Sequence, residues 1–577
     1  MKIKFIKKRG NERGDLSLIT AITFAFLITS LVFLLLNTAI EQSAFVRRDK
    51  AKDQVINFAQ MGIKNVISVA RFLIQTELPK RRVSDITQEF LSNLLSPNNS
   101  DFTSNIDTIY NQTKNTDPTT SYTILNYSFS LISYTTTISG IATRVFYTYV
   151  YTITSKAYKV NYNPSLSLTI TSQGKIEGSV FMENFARFAL FTNNNTLPDG
   201  TRVWFTSRTI FRGPVHTNGE FAFAYTPTFT DQVSSSASTA LFYNNGNSIR
   251  LSANSNPPND TPIFQRGFIR GAPQINLPPT TDTQLSASLG GTFTGTFQND
   301  NQRNQYIRQM LGLPVNNNPP PNGIYTQTIL NNGGIYIQGD VNSIQFGVDS
   351  QNRAVYTITQ GSNTFVFTID TSQNKTFLRI GNNTLEINSI PNGIIYVNGA
   401  INSVSGIIQR DQKITLCARN NITITDHISY QDDPRNNPSA VNIFGILSEN
   451  GNIIINPPEP PTSPDADPSD SDWDLEIDAT LMAPRGVVQV ANYNTRTARG
   501  DVILTGGIIS NNYGAFGTFT GAGQPNSGFG RQFWYDYRMR EGYAPPFFPT
   551  TGRTLIQDGR TDDPRWLKID KWEEKWE

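Results

Sequence analysis

The longest apolar stretch of the chain lies near its N-terminal end. Leu16 to Ile40 carries no charge, and its core reads LITAITFAFLITSLVFLLL. As a helix, Leu16 to Leu36 would measure about 32 Å, enough to cross a hydrocarbon core of ~30 Å. The period then changes without a break. Ile56, Ala59, Ile63, Val66, Ala70 and Leu73 recur at alternating intervals of three and four, a narrow seam on one helical face. Pro79 ends the pattern. The expectation is one rod from Asp15 to Leu78, about 96 Å long, whose outer half needs a partner to cover the seam.

After Arg81 a short helical stretch, SDITQEFLSNLL, gives way to an Asn/Ser/Thr-rich segment read as loop. From Ser121 the period becomes two: SYTILNYSFSLISYTTTIS, then RVFYTYVYTITSKAY, with Gly140 at the turn and SLSLTITSQGKIEGSVFME following. Dense Tyr, Thr, Val and Ile alternation predicts an antiparallel sheet on which the rod can pack. Beyond Phe185 the strands shorten and Gly, Asn and Pro punctuate them irregularly. NGGIYIQGDVNSI (332–344) and NGIIYVNGAINSV (392–404) agree at seven of thirteen positions at an offset of 60. Such spacing predicts stacked coils with Asn ladders at the bends, and Ser343 to Asp370 reads as a hairpin excursion from one coil. A β-sandwich is the rival. The fold expected is mainly β: a long N-terminal α-helix (membrane anchor plus stalk), an antiparallel sheet and a β-helix-like (solenoid) domain. Boundaries are placed at 1–14 (leader), 15–80 (helix), 81–170 (α/β region), 171–550 (β-helix-like) and 551–577 (tail). In the tail, Trp566, Ile569, Trp572 and Trp576 have the spacing of a short amphipathic helix.

Composition narrows the function. Charged residues make up 16% of 577, against about 25% for an average chain, and the net charge is +2, which gives no electrostatic case for nucleic acid. An 11% aromatic content argues for folded β structure. One cysteine, Cys417, excludes an internal disulfide framework, and its setting KITLCARN predicts an inert buried thiol.

Candidate chemistry is sparse. The two histidines, His216 in GPVHTNG and His427 in ITDHISY, have no second His or Cys at metal-ligand spacing, and both are read as turn residues hydrogen-bonded to backbone. Asp465, Asp467, Asp470 and Asp472 in DADPSDSDWD are weak calcium candidates. They lack the EF-hand's glycine and closing glutamate, and a solvated loop is the plainer reading. No cofactor is implied.

The N-terminus resembles the class III leader and first helix of type IV pilins. Six basic residues (Lys2, Lys4, Lys7, Lys8, Arg9, Arg13) precede Gly14, and the apolar run follows it. Resemblance implies cleavage between Gly14 and Asp15 by a prepilin peptidase, with Leu16, Ile19, Phe24, Leu27, Val32 and Leu36 retained on an assembly helix. Pilins carry glutamate five residues after the cut; here that place is Ile19, as in the pseudopilin that caps secretion pseudopili. FAQMGIKNVISVARFLI (58–74) is similar to the helix of PilX-type minor pilins. GPVHTNG and the run from Gly506 to Pro549 (GGIISNNYGAFGTFTG…GFGRQFWYDYRMREGYAPPFFP) resemble a β-helical domain of unknown function found in large pilin-like proteins. The implied function is a non-enzymatic minor pilin-like subunit that displays a large β domain on a filament, in assembly or adhesion. Implied partners are other pilins, the inner membrane before assembly, and a surface or glycan ligand. The alternatives are a membrane-tethered carbohydrate-active enzyme, a structural envelope anchor and, for the N-terminus alone, a plain signal anchor.

Overall fold

In the computed structural model, which describes residues 12–78, 83–114, 119–139, 142–159, 166–207, 209–253, 255–469, 472–520, 525–540 and 542–557, helix α1 runs unbroken from Glu12 to Glu77. The chain is mainly β and divides into two compact units. One draws on residues 12–135 and 146–179, the other on 136–145 and 180–557.

In the first unit, α1 changes character along its length. Residues 18–50 are all exposed, and the side chains turned outward are almost entirely apolar up to Leu36. This is one helix long and apolar enough to cross a membrane. Its hydroxyls are turned inward: Thr29 Oγ1 donates to the Ala25 carbonyl at 2.6 Å, and Thr23 and Thr38 donate likewise to Ile19 and Leu34. Such back-bonding pairs these three threonine O–H groups within the helix, so they do not face hydrocarbon unsatisfied.

From Ala51 the helix is half-covered. The buried seam is Val55, Ala59, Ile63, Val66, Ala70 and Leu73, so it starts at Val55 where the sequence suggested Ile56, which is only partly covered. The partner is the unit's own sheet, strands β1 (Thr120–Ser139), β2 (Ala142–Lys159) and β3 (Leu166–Asn184) in that order. Period two is plain in β2: Tyr147, Tyr149, Tyr151, Ile153, Ser155 and Ala157 are all buried. At Gly62 helix and sheet leave no room for a side chain, since a Cβ there would lie 2.4 Å from Ser155 Oγ and 2.8 Å from the Tyr122 ring. Asn65 Nδ2 donates to the Tyr122 hydroxyl at 2.8 Å and Lys159 Nζ to Gln54 Oε1 at 2.6 Å.

A helix at Gln88–Leu94 matches SDITQEFLSNLL, but the segment read as loop contains a second helix, Ser100–Lys114. Asn99 Oδ1 takes the Asp101 N–H at its start, and Phe102 and Ile106, one turn apart, supply the buried face. The polar composition between them hid that face.

The second unit is organised around one eleven-stranded sheet, parallel except for its last pair. A single row of side chains crosses ten of its strands in register: Ile335, Ile395, Leu416, Ile446, Leu481, Ile508, Leu190, Val215, Val233 and Phe268. All but Phe268 are buried, and each such side chain contributes about 1.5–3 kcal/mol. Between successive visits to this sheet the chain passes through one or two further faces. Early on these are Trp204–Phe205, Ala222–Phe223 and Thr239–Asn244, then Ile210–Phe211, Thr228–Phe229 and Ile263–Phe264.

The order of the windings is not the order of the chain. The first windings, at 190–194, 215–217, 233–235 and 268–270, lead from the middle of the sheet to one end. Residues 271–334 carry the chain to the other end, and the windings at 335–338, 394–398, 413–418, 443–448, 480–483 and 508–512 return to the middle. There Ile508–Asn512 pairs in parallel with Leu190–Asn194, a splice between strands 318 residues apart.

The 60-residue repeat proves to be two adjacent windings. Tyr336 stands over Tyr396 with ring centroids 6.2 Å apart and 12° between planes. The excursion between them is larger than a hairpin: Ser343–Val348 opens a five-strand antiparallel meander that ends at Asn383–Ile387. Asn ladders link the bends. Asn421 Oδ1 accepts the Asn452 N–H at 2.8 Å and Asn452 Oδ1 accepts the Val487 N–H at 3.0 Å. At the splice, Asn218 Nδ2 donates to Asn193 Oδ1 at 3.0 Å, and Asn193 Nδ2 to Asn511 Oδ1 at 3.1 Å. The tail expected to form a Trp-rich helix lies outside the described residues, although residues up to Gln557 form a strand, Thr550–Gln557.

The traverse is pinned by a buried charge cluster. Arg303, in the helix Asp300–Met310, holds Glu449 through both terminal nitrogens (3.1 and 3.0 Å), and its Nε lies 3.6 Å from Asp282. The Tyr396 hydroxyl and Thr281 complete the cluster. Burial alone would raise the Glu449 carboxyl, but the Arg303 bonds outweigh it and hold the group below its ordinary value.

Candidate functional site

At the splice, among the described residues, one face of the winding is closed by backbone pairing. Among the described residues, the other faces of the first windings belong to separate small sheets from those of the last. Aromatic rings fill the join instead. Phe205 packs against Tyr513 (centroids 5.8 Å apart) and Phe211 against Phe533 (6.2 Å), and Gly213 admits the Tyr535 ring where a Cβ would sit only 2.4 Å away. Arg212 donates to the Phe533 carbonyl at 3.2 Å and lies 4.3 Å over the Trp534 ring.

Above this floor opens a cleft of about 650 Å³, within the 300–1,000 Å³ range of small-molecule sites. Trp204, Thr206, Ser207, Thr209, Ile210, Phe211 and Tyr225 line it from the first windings; Asp501, Phe519, Thr520, Gly530, Arg531 and Phe533 line it from the last. Ile210 (47%), Tyr225 (49%) and Phe519 (40%) are exposed to a degree unusual for such side chains. Tyr225 is held there by a left-handed backbone, φ 61°, a conformation a bulky residue adopts only at a cost. Asp501 lies over Gly530, where a Cβ would displace its carboxylate. Arg531, paired in register with Val502, is open to solvent yet ringed by protein. That crowding lowers its guanidinium to about 10 against the pull of Asp501, and it stays charged at neutral pH. The arrangement offers flat apolar faces, five hydroxyls, one carboxylate and one guanidinium within a single concavity.

None of the candidate site residues named from sequence lines this cleft, although Phe519, Thr520, Gly530, Arg531 and Phe533 fall in the run quoted from Gly506 to Pro549. Gly14, Asp15 and Leu16 lie within the continuous α1 backbone, and Ile19, Phe24, Leu27, Val32 and Leu36 are exposed along it. His216 is not a turn residue: it sits in the strand Val215–Thr217, buried, and its partners are side chains. Nδ1 lies 2.8 Å from Ser234 Oγ and Nε2 lies 3.1 Å from Asn218 Oδ1. Burial pushes its pKa down, so it is neutral at physiological pH. His427 is also in a strand, Ile422–Tyr430, but does bind backbone. Nδ1 accepts the Glu476 N–H at 3.0 Å, which leaves Nε2 to donate to the Pro464 carbonyl at 2.8 Å. Gly, Pro and Asn around His216 suggested a turn, yet in short windings such residues flank strands of three or more.

Cys417 is buried, and burial raises its thiol far above the ordinary range. Asp465 caps the Asp467 and Asp474 N–H groups, and Asp467 caps that of Ser469. Asp472 lies in a bend and Asp470 falls outside the described residues. No group of three or more potential metal ligands is found among the described residues.

A family model, a domain of unknown function (DUF4900), matches residues 146–238, about a sixth of the chain. The match begins in β2 and runs into the first windings, so it includes the Trp204–Tyr225 wall of the cleft but not the wall from 501–533. No curated protein and no solved structure matches this chain.

Proposed function

We propose that this chain is a minor pilin-like subunit: a single-pass membrane protein whose N-terminus stays cytoplasmic and whose β body is displayed outside, in assembly or adhesion. One observation carries the reading. A single helix of 66 residues is bare and largely apolar from Leu18 to Leu36 and docked on its own antiparallel sheet from Ala51 onward. Such a helix can be anchored in a bilayer and later packed among similar helices without refolding the unit that carries it. The basic cluster before Gly14 supports the orientation by the positive-inside rule. Ile19 in place of a glutamate, and a β body of several hundred residues, favour a tip or occasional subunit over a shaft subunit.

N-terminal sequencing of the membrane-extracted protein tests it. A start at Asp15 is expected, and Gly14→Leu should block processing. A start near Asn37 or later would mean ordinary signal-peptide cleavage and would remove the pilin reading.

A further inference from the structure

We infer that the cleft at the splice is a recognition site for a neutral oligosaccharide. Sugar rings carry C–H groups on flat faces and hydroxyls around their edges, so they are recognised by aromatic faces combined with paired donors and acceptors at the rim. The cleft supplies both. Trp204, Tyr225, Phe519 and Phe533 present rings, and Thr206, Ser207, Thr209, Thr520, Asp501 and Arg531 present hydroxyl, carboxylate and guanidinium groups. Tyr and Trp suit such a place because each joins an apolar face to a polar tip.

Three features favour a ligand over a packing defect. Large apolar side chains stay exposed in a concavity, at a cost in burial that a bound ligand would recover. Tyr225 is kept in the left-handed region, its ring half-exposed beside that of Tyr243 at 5.2 Å, which is strain of the kind found at ligand clamps. And the walls come from windings more than 270 residues apart in sequence, so the cleft exists only once the splice has closed. The carboxylate and the guanidinium balance each other, which favours an uncharged ligand. Glycoside hydrolysis ordinarily uses two carboxylates. Among the described lining residues Asp501 is the only one, so the site is built for binding rather than cleavage.

The inference rests on the display reading only for where the sugar is met, so binding is measured in solution on the detergent-extracted full chain. The probes are neutral tri- and tetrasaccharides of glucose, galactose, mannose and N-acetylglucosamine, with sialylated and sulfated saccharides and short peptides in parallel. Saturable binding of at least one neutral probe is expected, with quenching of tryptophan fluorescence. Trp204→Ala and Phe519→Ala should each weaken it at least tenfold. Tyr225→Gly removes the ring while suiting the left-handed backbone, so its loss of binding should come with at most a small shift of the unfolding transition, that of the lost Tyr243 contact. No neutral saccharide bound, binding only of anionic saccharides or peptides, or affinity untouched by Trp204→Ala and Tyr225→Gly would each overturn the site while leaving the anchor reading intact.

Discussion

Replacing Arg303 with methionine removes the cation hydrogen-bonded to Glu449 in the cluster that joins residues 282–303 to the main sheet. Glu449 then loses two charge-assisted hydrogen bonds, at 3.1 and 3.0 Å, and keeps Thr281 as its main partner, while Asp282 loses the guanidinium 3.6 Å away. Both carboxylates are almost wholly buried, so the cost is that of an uncompensated interior charge, about 3–5 kcal/mol. Glu449→Gln is milder, about 2–3 kcal/mol, because Arg303 still faces Asp282 and an amide oxygen still accepts. The double variant should cost no more than Arg303→Met alone, a coupling energy of at least about 2–3 kcal/mol. Urea unfolding of the four proteins measures the sum. Hydrogen exchange across 281–311 shows whether the loss is local, and protection there should fall before that of the Ile395–Ile446 rows. If the two single substitutions add to within about 0.5 kcal/mol, or if Arg303→Met costs less than about 1 kcal/mol, the cluster does not hold the traverse and the reasoning fails.

Three further outcomes are expected. Gly62→Leu should destabilise the first unit by about 1–3 kcal/mol or more, since its Cβ alone would lie 2.4 Å from Ser155 Oγ; thermal melts should show Ser155→Gly recovering part of the loss. Asp478 is pushed up to about 7 by burial and then by Glu476, against the Tyr430 N–H, Arg435 and Thr505. The folded state therefore binds the extra proton, and the stabilisation is complete below about pH 4 and lost as pH rises through about 7, by at most about 1.4 kcal/mol per unit. Asp478→Asn should flatten that slope in urea titrations between pH 4 and 8. Leu27→Arg should cost about 2.5–3.5 kcal/mol of membrane insertion, read as loss of the protein from the membrane fraction, whereas the same change at the exposed, extramembrane Phe72 should leave fractionation unaltered.

What sequence patterning disclosed and what it hid follow from the range of the interactions concerned. The apolar run of α1, its seam and the alternation of β2 are local, and each could be read within a few turns or strands. The Tyr336/Tyr396 stack was legible because similar residues recur when neighbouring windings share one environment. The pairing of Ile508 with Leu190 left no such mark. Any buried apolar residue serves in that row, and the pattern says that a position is interior without saying which strand lies beside it. The cleft was illegible for the same reason: Trp204 and Arg531 are ordinary residues in their own segments and acquire a shared role only across the splice. His216 misled because its neighbours suit a turn, while its burial depends on Phe191 and Ser234 in adjoining windings.

The splice also sets a timetable for synthesis. Leu190–Asn194 leaves the ribosome 318 residues before the strand that completes its hydrogen bonding, so one flank of the earliest windings waits with unmet N–H and C=O groups. An unfinished parallel edge is a template for pairing with other chains, and long-range closure is slow to arrive. The nascent chain must therefore be shielded from its neighbours over that interval. Truncation anywhere before Ile508 should yield aggregates in place of a shorter folded body, even though the windings from Leu190 to Arg270 are already complete in sequence.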